Sequence, residues 1–156
     1  MVTREAAGRG NPARVRILMS LAHLTRPRRV LSDTAPTILV VEDHRELRDA
    51  LASLFATEGI RVADAANGNE ALNYLRASPP VSAIILDLAM PVMNGWDFLA
   101  QYRDEFRGRT VPILIFTGLT GAARRDAELT GLNVFSKPLN FDEMLAAVRK
   151  ALRSDQ

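Results

Sequence analysis

Five polar side chains in this sequence have types that could work together: Glu42, Asp43, Asp87, Thr117 and Lys137. Each stands at or just after the end of an apolar run. Ile38-Leu39-Val40-Val41 precedes the acid pair, Val81 to Leu86 precedes Asp87, Val111 to Phe116 precedes Thr117, and Leu132 to Phe135 precedes Lys137. Two carboxylates about 5 Å apart repel by about 3 kcal/mol at an effective dielectric of 20. Three in one crevice therefore require a proton, a cation or both. A set of oxygen ligands alone favours a hard divalent ion, Mg2+ first. An ammonium and a hydroxyl facing a metal-bound carboxylate suit a phosphoryl group added to that carboxylate, because they neutralise and hydrogen-bond its oxygens. An aspartate serving as the nucleophile in such a transfer is an established form of covalent catalysis.

That chemistry needs elements that bring the five together. The apolar runs are continuous rather than alternating, as expected of strands buried on both faces. Helical spacing separates them. Leu47, Ala50, Leu51, Leu54 and Phe55 recur at i, i+3, i+4, i+7 and i+8, with Gly59 as a stop. Ile60 to Ala65 reads as a weaker second strand, and Ala71, Leu72 and Leu75 mark a helix from about residue 69 to residue 77, ended by Pro79-Pro80. Trp96, Leu99 and Tyr102 open a third helical face. A polar, alanine-rich stretch from Thr120 to Leu129 stops at Gly131, and Asn140 with Glu143 forms a capping box for a last helix carrying Phe141, Met144, Leu145, Val148 and Leu152. Five strand-and-helix units predict a three-layer, doubly wound α/β domain with a five-stranded parallel sheet of flavodoxin-like type. In such sheets ligands bind beyond the carboxyl ends of the strands, which is where the five side chains fall.

The residues at this point resemble the receiver domain of two-component response regulators, of the single-domain type. The resemblance covers residues 37–153 and rests on Glu42-Asp43, on Asp87-Leu88-Ala89-Met90-Pro91-Val92-Met93-Asn94-Gly95, on Thr117 and on Lys137-Pro138. It implies that Asp87 is the phospho-acceptor, that Asp43 and the backbone carbonyl of Ala89 bind Mg2+ with Asp87, and that Glu42 acts through metal-bound water. Thr117 and Lys137 would contact the phosphoryl group. The donor would be a histidine kinase or a histidine phosphotransfer protein, and the readout a downstream protein target or a phosphorelay. A homodimer through the output face and a cytoplasmic location are further expectations, and the only chemistry implied is self-phosphorylation and dephosphorylation rather than that of a metabolic enzyme.

Two positions and one segment depart from the family pattern. Val134 stands where an aromatic switch residue is usual, and Phe135, one residue later, must point to the opposite face of its strand. The switch region of Thr117, Val134 and Phe135 is therefore altered. Gly118 replaces a common alanine, and the segment from Thr120 to Leu129 has little large apolar surface, which predicts a low-stability fourth helix. The alternative function is a degenerate receiver that binds partners without phosphorylation. A dehalogenase-type phosphohydrolase would need an acid at Ala89, and a nucleotide binder would need a glycine-rich loop after the first strand. Neither is present.

Composition narrows the field further. The 156 residues are 47% hydrophobic and 24% charged, so the chain can build a core. It has no cysteine, which excludes disulfides and thiolate chemistry, and its two histidines argue against a multi-histidine metal site. His44 reads as a loop or first-turn residue, Trp96 and Tyr102 as packing groups, and Met90 and Met93 as fillers. No run reaches the roughly 18 apolar residues of a membrane span. The net charge of +2 is unevenly placed: residues 1–36 hold seven arginines against Glu5 and Asp33, while the rest holds 13 basic and 16 acidic side chains. That acidic body argues against nucleic acid as a partner. Residues 1–36 are read as a disordered basic extension and 154–156 as a tail, leaving no room for an output domain.

Overall fold

A computed structural model describes residues 34–77, 80–138 and 140–154. The expected basic extension (apart from residues 34–36), Pro79 in the expected helix stop and the tail from residue 155 lie outside the described residues. Strands and helices alternate along the chain: β1 Thr37–Val41, α1 Arg45–Thr57, β2 Arg61–Ala65, α2 Gly68–Ala77, β3 Ala83–Leu86, α3 Gly95–Glu105, β4 Ile113–Thr117, α4 Gly121–Glu128, β5 Asn133–Ser136 and α5 Phe141–Ser154. The five strands form one parallel sheet in the order β2-β1-β3-β4-β5. The expected doubly wound architecture is what the chain adopts.

Alternation of side chains across the sheet divides the continuous apolar runs between two cores. On one face Leu39, Val41, Ile84, Leu86 and Ile115 pack with Leu72 and Leu75 of α2 and Phe98, Leu99 and Tyr102 of α3. On the other, Ile38, Val40, Ile85, Leu114 and Phe116 pack with Leu51 and Phe55 of α1 and Phe141, Met144 and Val148 of α5. Phe55 and Phe141 meet edge to face with centroids 5.2 Å apart, tying α1 to α5. Phe98 is fully buried, although the spacing argument for α3 named only Trp96, Leu99 and Tyr102. Trp96 lies at the margin of that core, so Phe98, Leu99, Tyr102 and Phe106 carry the stripe instead.

The two expected glycine stops hold. Gly59 and Gly131 take positive φ angles of 79° and 74°, conformations that a Cβ disfavours. The Asn140 side chain accepts a hydrogen bond from the Glu143 amide at 3.3 Å, as its capping role requires. The observed strand limits differ from the apolar runs by one or two residues, because backbone pairing rather than hydropathy decides where a strand begins.

Candidate functional site

Register places the polar residues. Val41 of β1 and Ile115 of β4 both stand level with Leu86 of β3, so Glu42 and Asp87 leave adjacent strands at the same height. Backbone bonds continue past the strands: the Asp87 amide donates to the Val41 carbonyl at 2.9 Å, and the Glu42 amide to Ala65 at 3.0 Å. The Lys137 amide donates to the Thr117 carbonyl at 2.9 Å, which joins the last two site positions across β4 and β5. Glu42, Asp87 and Thr117 are among the few buried polar residues of the described chain.

The ammonium of Lys137 closes the constellation. Its Nζ donates to Glu42 Oε2 at 2.8 Å and to Asp87 Oδ2 at 2.7 Å, bridging two carboxylates that would otherwise repel. The same Nζ lies 5.2 Å from the Phe116 ring centroid. Burial pushes the Glu42 carboxyl above its ordinary range and the charge of Asp87 adds to this, against the hydrogen bond and charge of Lys137. For Lys137, burial works downward, yet the hydrogen bonds to Asp87 and Glu42 and their charges outweigh it and hold the ammonium above its ordinary value. The cluster therefore keeps its lysine charged while straining against a buried acid.

Asp87 is oriented by the turn that follows it. Its Oδ1 accepts the Ala89 amide at 3.1 Å, leaving Oδ2 for Lys137. The turn depends on Gly95: a Cβ there would stand 2.4 Å from the Asp87 carbonyl oxygen and 2.7 Å from Leu88 Cα. Asn94 caps α3 by accepting the Asp97 amide at 2.9 Å, which fixes the far end of the same loop. Met90 is buried and Met93 packs against Gly68, as fillers should. Thr117 Oγ1 accepts the Leu119 amide at 3.2 Å. Val134 packs in the α2–α3 core and Phe135 in the α1–α5 core, so the two point to opposite faces.

Two residues gain roles that spacing did not disclose. Arg48 on α1 donates through one nitrogen to the carbonyls of Glu42 at 2.6 Å and Asp43 at 3.1 Å, while its Nε holds Asp64 at 2.9 Å. It fixes the backbone that presents both acids; an arginine five residues after the acid pair is the only signal the sequence offered. His44, expected in a loop or first turn, is the N-cap of α1 but makes no side-chain cap bond. Its Nδ1 turns back to Glu42 Oε1 at 2.8 Å, and that hydrogen bond raises its basicity above the ordinary value.

The donor set fits a hard divalent ion. Asp43 Oδ1 is buried without a hydrogen-bond partner; His44 Nδ1 lies 3.0 Å away but without hydrogen-bond geometry. A buried carboxylate oxygen left bare in this way needs a positive partner. Glu42, Asp43 and His44 offer ligand atoms within 4.8 Å of one another, while Asp87 is joined to Glu42 through Lys137 and is followed by the turn that carries the Ala89 backbone.

Comparison with known proteins concerns the chain as a whole. The family model of the response regulator receiver domain matches residues 38–149. The alkaline phosphatase synthesis transcriptional regulatory protein SphR of Synechococcus elongatus is 36% identical over 132 residues, spanning 78% of this chain and 51% of that protein. Response regulator Rre1 of Synechocystis sp. is 34% identical, spanning 77% and 53%. The chain thus spans about half the length of these curated relatives. Among solved structures, a response regulator receiver protein from Pseudomonas putida superposes with a TM-score of 0.68 at 28% identity, covering 76% of this chain and 99% of that one. The response regulator TrrA from Thermotoga maritima, solved in complex with Mg(2+)-BeF, superposes with a TM-score of 0.66 at 29% identity, covering 75% and 99%.

Proposed function

This chain belongs to the response regulator receiver domain family, and on that premise we propose that Asp87 accepts a phosphoryl group from a histidine kinase or a histidine phosphotransfer protein. The observation that carries this reading is the Lys137 ammonium held between Asp87 and Glu42 beside a buried carboxylate oxygen with no hydrogen-bond partner. Mg2+ would be held by Asp43, Asp87 and the Ala89 carbonyl, with Glu42 acting through bound water. When bound, it supplies the charge that makes a carboxylate attack on a phosphoryl group electrostatically tolerable.

The protein's own groups do the rest. Asp87 Oδ2 attacks phosphorus, the bond to the donor imidazole nitrogen breaks, and the imidazole departs with the electron pair. Lys137 leaves Glu42 and follows the phosphoryl oxygens. Thr117 Oγ1, which now accepts the Leu119 amide, donates a hydrogen bond to one of them. That shift, with Val134 and Phe135 behind it, alters the β4–β5 side for a downstream protein partner or a phosphorelay. Water attack on phosphorus later breaks the bond to Asp87, releases inorganic phosphate and restores the carboxylate.

In this reading residues 37–153 are the receiver, residues 1–36 an extension, and the site serves signalling in the cytoplasm, with homodimerisation through the output face. Nucleic acid is not among this domain's own partners, because the acidic excess lies in residues 37–156. No helix among the described residues is long and apolar enough to cross a membrane. A second reading, phosphorylation-independent binding, is favoured by one observation: Val134 offers no ring to follow Thr117. Acetyl phosphate with Mg2+ separates the two. The natural chain should gain one hydroxylamine-sensitive phosphate and Asp87→Asn none; an unmodified natural chain would leave the second reading standing.

A further inference from the structure

His44 has a side chain placed for metal chemistry rather than for helix capping. Its ring is 57% exposed, so burial does not dictate its position. An N-cap imidazole free of cap bonds could extend into water. Instead Nδ1 lies 2.8 Å from Glu42 Oε1 and 3.0 Å from Asp43 Oδ1. The three side chains offer one nitrogen and two carboxylate oxygens within 4.8 Å of one another. In an octahedral shell with bonds of about 2.1 Å, neighbouring ligand atoms stand about 3.0 Å apart. The 3.0 Å separation of Nδ1 from Asp43 Oδ1 matches that edge. One of the two oxygens, Asp43 Oδ1, is the buried atom without a hydrogen-bond partner.

We propose that His44 is a ligand of the divalent ion held by Asp43, and that it shifts the metal preference of this site from Mg2+ toward borderline ions such as Ni2+, Co2+ and Zn2+. The inference rests on the reading that Asp43 holds a divalent ion. An all-oxygen site suits Mg2+, whereas an imidazole adds little for Mg2+ and much for the later first-row ions. Nδ1 ligates through its lone pair as the Nε2–H tautomer. Lys137 holds the other Glu42 oxygen, Oε2, so the ligating side of the cluster is left to His44 and Asp43.

Calorimetric titration of the full chain with Mg2+ and with Ni2+ provides the test, repeated on His44→Gln and His44→Ala. The natural chain should bind Ni2+ more tightly than Mg2+, and both variants should lose that preference by about tenfold or more, since even residues that only support a ligand contribute that much. Their Mg2+ affinity should fall much less than their Ni2+ affinity. Pulsed electron paramagnetic resonance of the Mn2+-loaded chain should detect one nitrogen coupling that both variants lack. An unchanged Ni2+ to Mg2+ ratio, or the absence of nitrogen coupling, overturns the role of His44 while leaving the metal site intact. Failure of every divalent ion to bind overturns the metal site itself, and the role of His44 with it.

Discussion

The centre of the sheet and its β5 edge are built from the same kinds of unit but held very differently. All four residues of β3 are buried between β1 and β4, with α1 and α5 on one face and α2 and α3 on the other. At the edge, the first and last residues of β5 are exposed, and α4 buries only Ala127. Polar surface contacts supplement that thin packing, such as the bond from the Arg124 guanidinium to the Ser136 hydroxyl. Exposed pairs of this kind add little stability. The difference teaches where rigidity is needed. Asp87 and Glu42 issue from the tightly packed centre, so the proposed phospho-acceptor and its acidic neighbour are fixed. Lys137 comes from the looser edge, where a side chain can follow a charge and a segment can repack at small cost.

The severest test of this contrast removes the bond between the two regions. Lys137→Met leaves Glu42 and Asp87 buried without their common cation, and stability should fall by about 3–5 kcal/mol in metal-free denaturant titrations. Added Mg2+ should recover much of it. A loss below about 1 kcal/mol would mean that the bridge holds little.

Cavities compare the packing directly. Ile85→Ala, at the centre, should cost about 2–5 kcal/mol, whereas Val134→Ala, at the edge, should cost about 1 kcal/mol. Equal losses would erase the contrast. Hydrogen exchange should place the α4 amides well below those of β1 and β3 in opening free energy.

Two smaller effects sharpen it. Ala89 offers no polar side chain beside Asp87, so Ala89→Asn should change the decay rate of the phosphorylated protein several-fold without altering the midpoint of unfolding. Identical decay by phosphate release would dismiss any influence of that position on the attacking water. Leu129→Ser, at a residue 83% exposed beyond α4, should change stability by no more than about 0.5 kcal/mol. A larger loss would reveal packing at this edge that the exposure of Leu129 conceals.

The contrast also explains what could be read from the chain. Uninterrupted runs such as Ile38 to Val41 and Ala83 to Leu86 disclose buried strands, because only a sheet covered on both faces accepts them. The polar residue after each run marks the strand end, so Glu42, Asp87, Thr117 and Lys137 were legible as a group. Strand order was not: nothing in hydropathy states that β3 rather than β2 adjoins both β1 and β4. Phe98 escaped notice because Trp96 offered an equally apolar start to the same helix. Arg48 and His44 were illegible for a different reason. Their roles depend on the direction of a long or rotatable side chain at the start of α1, and that direction follows from the fold around it. Val134 and Phe135 fell on opposite faces as the two-residue period of a strand demands.

The most direct measurement is a crystal structure of the chain grown with Mg2+ and beryllofluoride. The account predicts beryllofluoride bonded to an Asp87 oxygen, a metal ion on Asp43, and Lys137 Nζ drawn from Glu42 to a fluorine. A vacant Asp87, with Lys137 still spanning both carboxylates, would contradict it.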